Sequence, residues 1–155
     1  KPDHVWEPQT TKLLLHLSAN AKHVVIGGAY FGDHAIIVAK KLVQSDGICH
    51  AFEPNKKQFA MLQRNARNNG LDNIIFNCIG LWENDKTTLR LINESDDAKS
   101  SSSVIVQGSS QLDDNTFQTI SLDSYGIQHN IDKIDLIMLD IEGGELSALK
   151  GASRY

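Results

Sequence analysis

The sequence predicts an α/β fold, a doubly wound and mainly parallel sheet with flanking helices and a small antiparallel insertion, and three observations predict it. Short apolar runs close in glycine- or proline-marked turns, as at residues 23–28 and 47–54. Each of those turns opens a stretch whose apolar residues recur at helical spacing. Further apolar runs follow at 73–79 and 134–139, and crossover helices are the economical way to join such units into a parallel sheet.

The elements follow in order. Residues 10–19 carry Leu13, Leu14, Leu15 and Leu17 between Pro8 and Asn20, which predicts a short leading helix. Residues 23–26 are a buried strand stopped by Gly27 and Gly28. Ile36, Ile37, Ala39, Leu42 and Val43 then mark a helix that ends at Ser45-Asp46-Gly47. The same grammar repeats with a strand at 47–52, a turn at Glu53-Pro54-Asn55 and a helix at 56–69 closed by Gly70. A third strand is expected at 73–79. Between 81 and 121 the pattern changes to an alternating stretch at 87–92, a Ser-rich tract at 94–103 and short runs at 104–106 and 117–120, read as an antiparallel insertion with a mobile loop. The Ser-rich segment 94–110 is a candidate substrate lid. A buried strand at 134–139 runs into Asp140-Ile141-Glu142-Gly143-Gly144, and a helix opens at Glu145.

Composition narrows the function. With 155 residues and 41% of them hydrophobic, the chain is the size of one globular domain, here a leading segment at 1–22 and a main domain at 23–155. A net charge of −4 excludes a basic nucleic-acid binder, and no run is long enough to span a bilayer, so the expected partner is a small molecule or carbohydrate and the expected location cytoplasmic. Cys49 and Cys78 lie inside apolar runs, where buried thiols and a reducing compartment are expected. The chain begins at Lys1 rather than Met and stops in KGASRY, so the sequence is expected to continue beyond one or both ends, with C-terminal strands of the sheet outside it.

In a doubly wound sheet, ligands sit outside the carboxyl ends of the strands, and four places qualify here. The first is Gly27-Gly28-Ala29-Tyr30-Phe31-Gly32-Asp33, a turn whose glycines bring backbone N–H groups and a helix start close to a ligand. Glycines in such a turn also serve packing. The second is Glu53, twenty-five residues after Gly28, placed to accept hydrogen bonds from ribose hydroxyls or, more simply, to cap the next helix. The third is Asn77-Cys78-Ile79-Gly80, where an adenine ring would lie on apolar side chains. The fourth, Asp140 to Glu145, sets three carboxylates at the mouth of the last strand, suited to a general base, a cation or a ligand's ammonium group, or to capping by Glu142 and Glu145. His34 reads as a helix-start residue, His4 and His129 as loop residues, and Trp82 as core. No His or Cys pair has metal-ligand spacing.

The segments VVIGGAYFGDHA, HAFEPNKKQFAMLQRNARNNG, FQTISLDSYGI and IDLIMLDIEGGELSALKGA, in that order, resemble the FkbM family of methyltransferases that use S-adenosylmethionine (SAM). The resemblance covers about residues 23–152, and its most specific parts are the AFEP turn and the D-I-E-G-x-E block followed by L-K-G-A. It implies a Rossmann-like sheet and O-methylation of a hydroxyl on a sugar, lipid or small metabolite. By that resemblance Gly28, Ala29, Tyr30, Gly32 and Asp33 surround the methionine part of SAM, Glu53 holds the ribose, and Asp140 and Glu142 face the reacting end; Cys78 and Ile79, from their place after the third strand, are the candidates to line the adenine.

One position departs. Where the family has an acid two residues before Gly28, orienting the cofactor's amino group, this chain has Ile26. Three alternatives stand: Asp140 takes over, SAM binds weakly, or activity is lost; the first is favoured. A silent binding domain is therefore the main rival reading. An NAD-dependent oxidoreductase is the other, since it shares the glycine turn and Glu53 but gives no reason for the D-I-E-G-x-E block.

Overall fold

The computed structural model describes residues 6–93, 101–105 and 116–155. Four strands, β1 (His23–Gly27), β2 (Ile48–Phe52), β3 (Ile74–Asn77) and β8 (Leu136–Leu139), form a parallel sheet in the order β3-β2-β1-β8. The chain steps outward from β1 to β3 and returns on the other side of β1, so the strand order reverses between β1 and β8. A crevice opens at the carboxyl ends of strands at such a switch point. Register is tight there, with Gly27 opposite both Phe52 and Leu139.

The helices cover both faces. On one side α2 (Ala35–Leu42) and α3 (Lys56–Asn68) bury Val38, Ala39, Leu42, Leu62 and Ala66 against Val24, Ile26, Cys49, Ala51 and Ile74. On the other, α4 (Leu122–Gln128) and α5 (Glu145–Lys150) bury Leu122, Tyr125 and Ala148 against Val25 and Phe52. The β1 run Val24-Val25-Ile26 is buried on both faces, as an internal parallel strand requires. The leading helix α1 (Pro8–Leu17) lies against α2, with Leu14 buried and Leu13 and Leu17 exposed. It starts two residues before the predicted 10–19, since Pro8 occupies the first turn, where its missing N–H is harmless.

The insertion is a second sheet in the order β4-β7-β5-β6, from β4 (Gly80–Leu81), β5 (Thr88–Asn93), β6 (Ser101–Ile105) and β7 (Thr116–Ile120). Strand β5 pairs antiparallel with β6 and β7, as expected, but β4 pairs parallel with β7. The predicted third strand, 73–79, is shorter, Ile74–Asn77: the chain leaves the main sheet at Asn77, and Gly80 enters the second one. Glycine is needed there because a side chain would strike the ring of Phe117. The proposed lid at 94–110 lies outside the described residues apart from β6, as does His4.

Helix α4 was not predicted. LDSYGIQ is short and carries Gly126, a poor helix former. Two tertiary facts hold it: Ser121 caps its start by accepting from the Ser124 amide, and Gly126 leaves room for the Tyr155 hydroxyl, where a side chain would collide. No helix among the described residues is long and apolar enough to cross a membrane.

Candidate active site

The glycine turn follows from β1. Gly28 and Gly32 both have positive φ, 76° and 100°, and Tyr30 shares that region at 49°, a strained state for a residue with a side chain. The Gly28 and Ala29 amides both donate to the Phe52 carbonyl, at 3.0 and 2.9 Å, which ties the turn to the end of β2. Asn65 on α3 donates to the Phe31 carbonyl at 2.9 Å. Packing alone demands both glycines: a Cβ on Gly28 would strike the Asp140 carbonyl oxygen, and one on Gly32 would crowd Ile36 and Leu62.

Glu53 goes beyond packing. Its Oε2 accepts from the Tyr30 amide at 2.9 Å and its Oε1 from the Asn55 amide at 2.8 Å. It is only 5% exposed, so the simpler reading of a solvated helix cap does not hold. The cap of α3 is Asn55, whose side chain accepts from the Lys57 and Gln58 amides. Burial pushes the Glu53 carboxyl above the usual glutamate range, against the pull of the Asn55 and Tyr30 amides. Each carboxylate oxygen keeps a lone pair beyond its one amide bond. A buried acid with acceptor capacity left over is what a vicinal diol needs.

The other residues fall into place around it. Cys78 is exposed, contrary to the buried thiol expected, because the chain turns away from the sheet there; its Sγ lies 3.9 Å from the Pro54 carbonyl oxygen, beside the Glu53 turn. Burial and the Glu53 charge push its thiol up. Cys49 is buried, its thiol pushed up to about 12 by that burial. Ile79 packs half-buried against the α4 side of the core, and Asp33 is exposed. Ile26 is 1% exposed, packed in the core with Ala29, Ala35 and Ile74.

At β8, the Asp140 amide donates to the Gly27 carbonyl at 3.0 Å, which fixes Asp140 against the glycine turn. Its carboxylate is exposed and makes no hydrogen bond or ion pair among the described residues. Glu142 is likewise exposed, in a left-handed turn with φ 54°, and no bond draws it to the other site residues. The third acid braces the turn before α5 instead of capping that helix: Glu145 Oε1 accepts from the Ile141 and Gly143 amides at 2.9 and 3.3 Å. Among the described residues, no three His, Cys, Asp or Glu side chains gather as a metal cluster. Trp82 is buried over Gly144, and His34 is buried at the start of α2 with its Nε2 3.5 Å from the Glu7 carboxylate.

Sequence reasoning missed a polar chain under this site. His50, Tyr125 and the Asn77 side chain are joined through strands and a helix distant in sequence, and no local pattern marks them. The Asn55 cap was also missed, the capping role having gone to Glu53, although an asparagine directly before a helix is the signal that marks it.

A parallel α/β sheet brings together a glycine turn, a buried acid after the second strand and acids at the switch point, all at its carboxyl rim. Residues 27–155 match the family model of the methyltransferase FkbM domain, and the chain belongs to that family. No curated protein matches it. Among solved structures it is similar to methyltransferase FkbM from Methylobacillus flagellatus, at 22% identity and a TM-score of 0.56 over 87% of this chain and 30% of that one. This chain thus spans less than a third of that protein's length. It overlaps less with a putative O-methyltransferase from Klebsiella pneumoniae (22% identity, TM-score 0.42, 48% of this chain and 34% of that one). The same holds for M. jannaschii TYW2, solved with AdoMet (24% identity, TM-score 0.40, 50% and 36%). The first likeness is one of fold, and the two lower-scoring overlaps add nothing to it.

Proposed function

We propose that this chain carries the cofactor-binding core of a SAM-dependent methyltransferase that methylates a hydroxyl on a sugar, lipid or small metabolite. The carrying observation is Glu53: a carboxylate buried beside the glycine turn, fixed by two amides and still able to accept from two hydroxyls. When bound, SAM supplies an activated methyl group on a sulfonium. The protein's own part is to bind, orient and move a proton. Glu53 holds the ribose, Cys78 and Ile79 flank the adenine, and Gly28, Ala29, Tyr30, Gly32 and Asp33 surround the methionine part.

Asp140 takes the place of the acid absent at Ile26 and holds the ammonium group, because it is pinned beside Gly28 and its carboxylate is free. Glu142, at the rim, takes the proton from the acceptor hydroxyl. Holding two reactants in line accounts for most of the remaining acceleration. Location in the cytoplasm and a small-molecule or carbohydrate acceptor belong to the same reading.

Calorimetry tests it with S-adenosylhomocysteine and NAD(H) on the same preparation. Micromolar S-adenosylhomocysteine binding is expected; binding of NAD(H) alone would replace the reading with an oxidoreductase. The buried Ile26 favours one second reading, a domain that binds the cofactor without turnover. Binding with no label transfer from methyl-labelled SAM across a panel of hydroxylated acceptors would support it.

A further inference from the structure

A line of hydrogen bonds runs along the α4 face of the main sheet, from its amino-terminal rim to the back of the Glu53 turn. Asn77 Nδ2 lies 3.3 Å from the Tyr125 hydroxyl, that hydroxyl 2.9 Å from His50 Nδ1, and His50 Nε2 3.0 Å from His23 Nδ1. His50 and Tyr125 are buried, while His23 is half-exposed at the start of β1.

Donor counting gives the line a direction. An amide nitrogen only donates, so Tyr125 accepts from Asn77 and passes its own proton to His50 Nδ1. A neutral imidazole has one N–H, so His50 carries it on Nε2 and donates to His23 Nδ1. Every group is then satisfied, and the N–H of His23 is left on Nε2. Burial and the neighbouring His23 and His129 push the His50 imidazole down to about 4, and His23, half-exposed at the rim, is the member of the line that solvent reaches.

Two members of the line, Asn77 and Tyr125, bear on the site. The Asn77 carbonyl accepts the Glu53 amide at 3.0 Å. The Tyr125 ring meets Phe52 edge-on, with centroids 4.9 Å apart, and the Phe52 carbonyl is the one that holds the Gly28 and Ala29 amides. We propose that Tyr125 and His50 are positioning residues for the cofactor, holding Asn77 and Phe52 and through them Glu53 and the glycine turn, and that a proton taken up at His23 reverses the line and loosens that turn. This rests on the reading of Glu53 as the ribose ligand.

The step balances as follows. A proton on His23 Nδ1 faces the His50 Nε2–H, two donors together. His50 relieves this by moving its N–H to Nδ1, where it donates to Tyr125; the Tyr125 hydroxyl then receives two donors, and its own proton has no acceptor left in the line. The added charge stays on His23. Other groups facing the line are His129, its ring tilted against that of Tyr125 with centroids 4.2 Å apart, and Asp135, which accepts from the His23 backbone amide and pairs with Lys133; the Cys49 thiol lies on the opposite face of β2.

The test is carried out on the full chain by imidazole and amide NMR, with S-adenosylhomocysteine calorimetry between about pH 8 and pH 5. At the upper end His50 should be the Nε2–H tautomer. On acidification the Asn77 side-chain amide should shift with the His23 midpoint, and affinity should fall about tenfold, the worth of one net hydrogen bond. In His23→Gln, at the half-exposed rim, both responses should disappear, and Tyr125→Phe should bind more weakly with no pH dependence. An Asn77 amide that ignores the His23 titration overturns the proposal whether or not ligand binds. So does S-adenosylhomocysteine binding that is independent of pH, which leaves the Glu53 reading standing. No binding at any pH overturns that reading and this proposal with it.

Discussion

Two turns carry the acids of the carboxyl rim, one after β2 and one after β8, and they are built in opposite ways. Glu53 is buried, with each carboxylate oxygen tied to a backbone amide and its carboxyl pushed up by burial. Asp140 and Glu142 are exposed, and neither carboxylate has a partner among the described residues; Glu145 alone turns back onto amides. A buried, oriented acid costs stability and suits the reading of a ligand's shape. Free acids cost little and can change protonation, as chemistry requires. On the proposed reading, the difference separates the acid that holds the ribose from those that meet the ligand's amino group and the acceptor's proton.

The sharpest way to break that comparison is Glu142→Gln. On the account given it lowers kcat by about 100-fold or more, the worth of a general base, while S-adenosylhomocysteine affinity stays within about twofold. A methyl-transfer assay with calorimetry reads both, and an equal loss in each would place Glu142 on the binding side. Next is Glu53→Ala, expected to weaken S-adenosylhomocysteine about 100-fold, since two bonds to a charged acceptor are lost. Smaller again is Asp140→Asn, about tenfold in the same measurement. Glu145→Ala should leave affinity alone and cost about 1 kcal/mol of stability in denaturant unfolding, as for lost hydrogen bonds to the turn amides.

The smallest effect is the most specific. Side-chain carboxyl NMR should show Glu53 titrating above the ordinary glutamate value and Glu145 below it, where its amide bonds outweigh the opposing effect of burial. The signs follow. Ionising Glu53 removes stability as pH rises through its raised pKa. The Glu145 contribution is present above the ordinary value and is lost as pH falls through its lowered one. Both carboxyls titrating on the same side would erase the distinction between the turns. His50 adds a separate signature, because its neutral form is favoured in the fold: stability is lost as pH falls from the ordinary 6.5 toward about 4, by an amount on the order of 3 kcal/mol.

Much of this was legible in the sequence where local chemistry decides. Gly27-Gly28 and Glu53-Pro54-Asn55 mark strand ends because tight turns need those residues, and the spacing between them put Glu53 beside the turn. The 81–121 region was legible only as a change of pattern, since pairing β4 parallel to β7 is a decision of the whole chain. Helix α4 was hidden because Gly126 answers to Tyr155 at the far end rather than to its own helix. The line from His23 to Asn77 was hidden for the same reason: two strands must lie in register before His23 and His50 meet.

The most direct test of the account is a crystal structure with S-adenosylhomocysteine. It should show the ribose hydroxyls on the two oxygens of Glu53 and the ligand's amino group within hydrogen-bond distance of Asp140. Ligand bound away from Gly28 and Glu53, or a Glu53 carboxylate bonded to the Tyr30 and Asn55 amides alone while the ribose lies elsewhere, would contradict it.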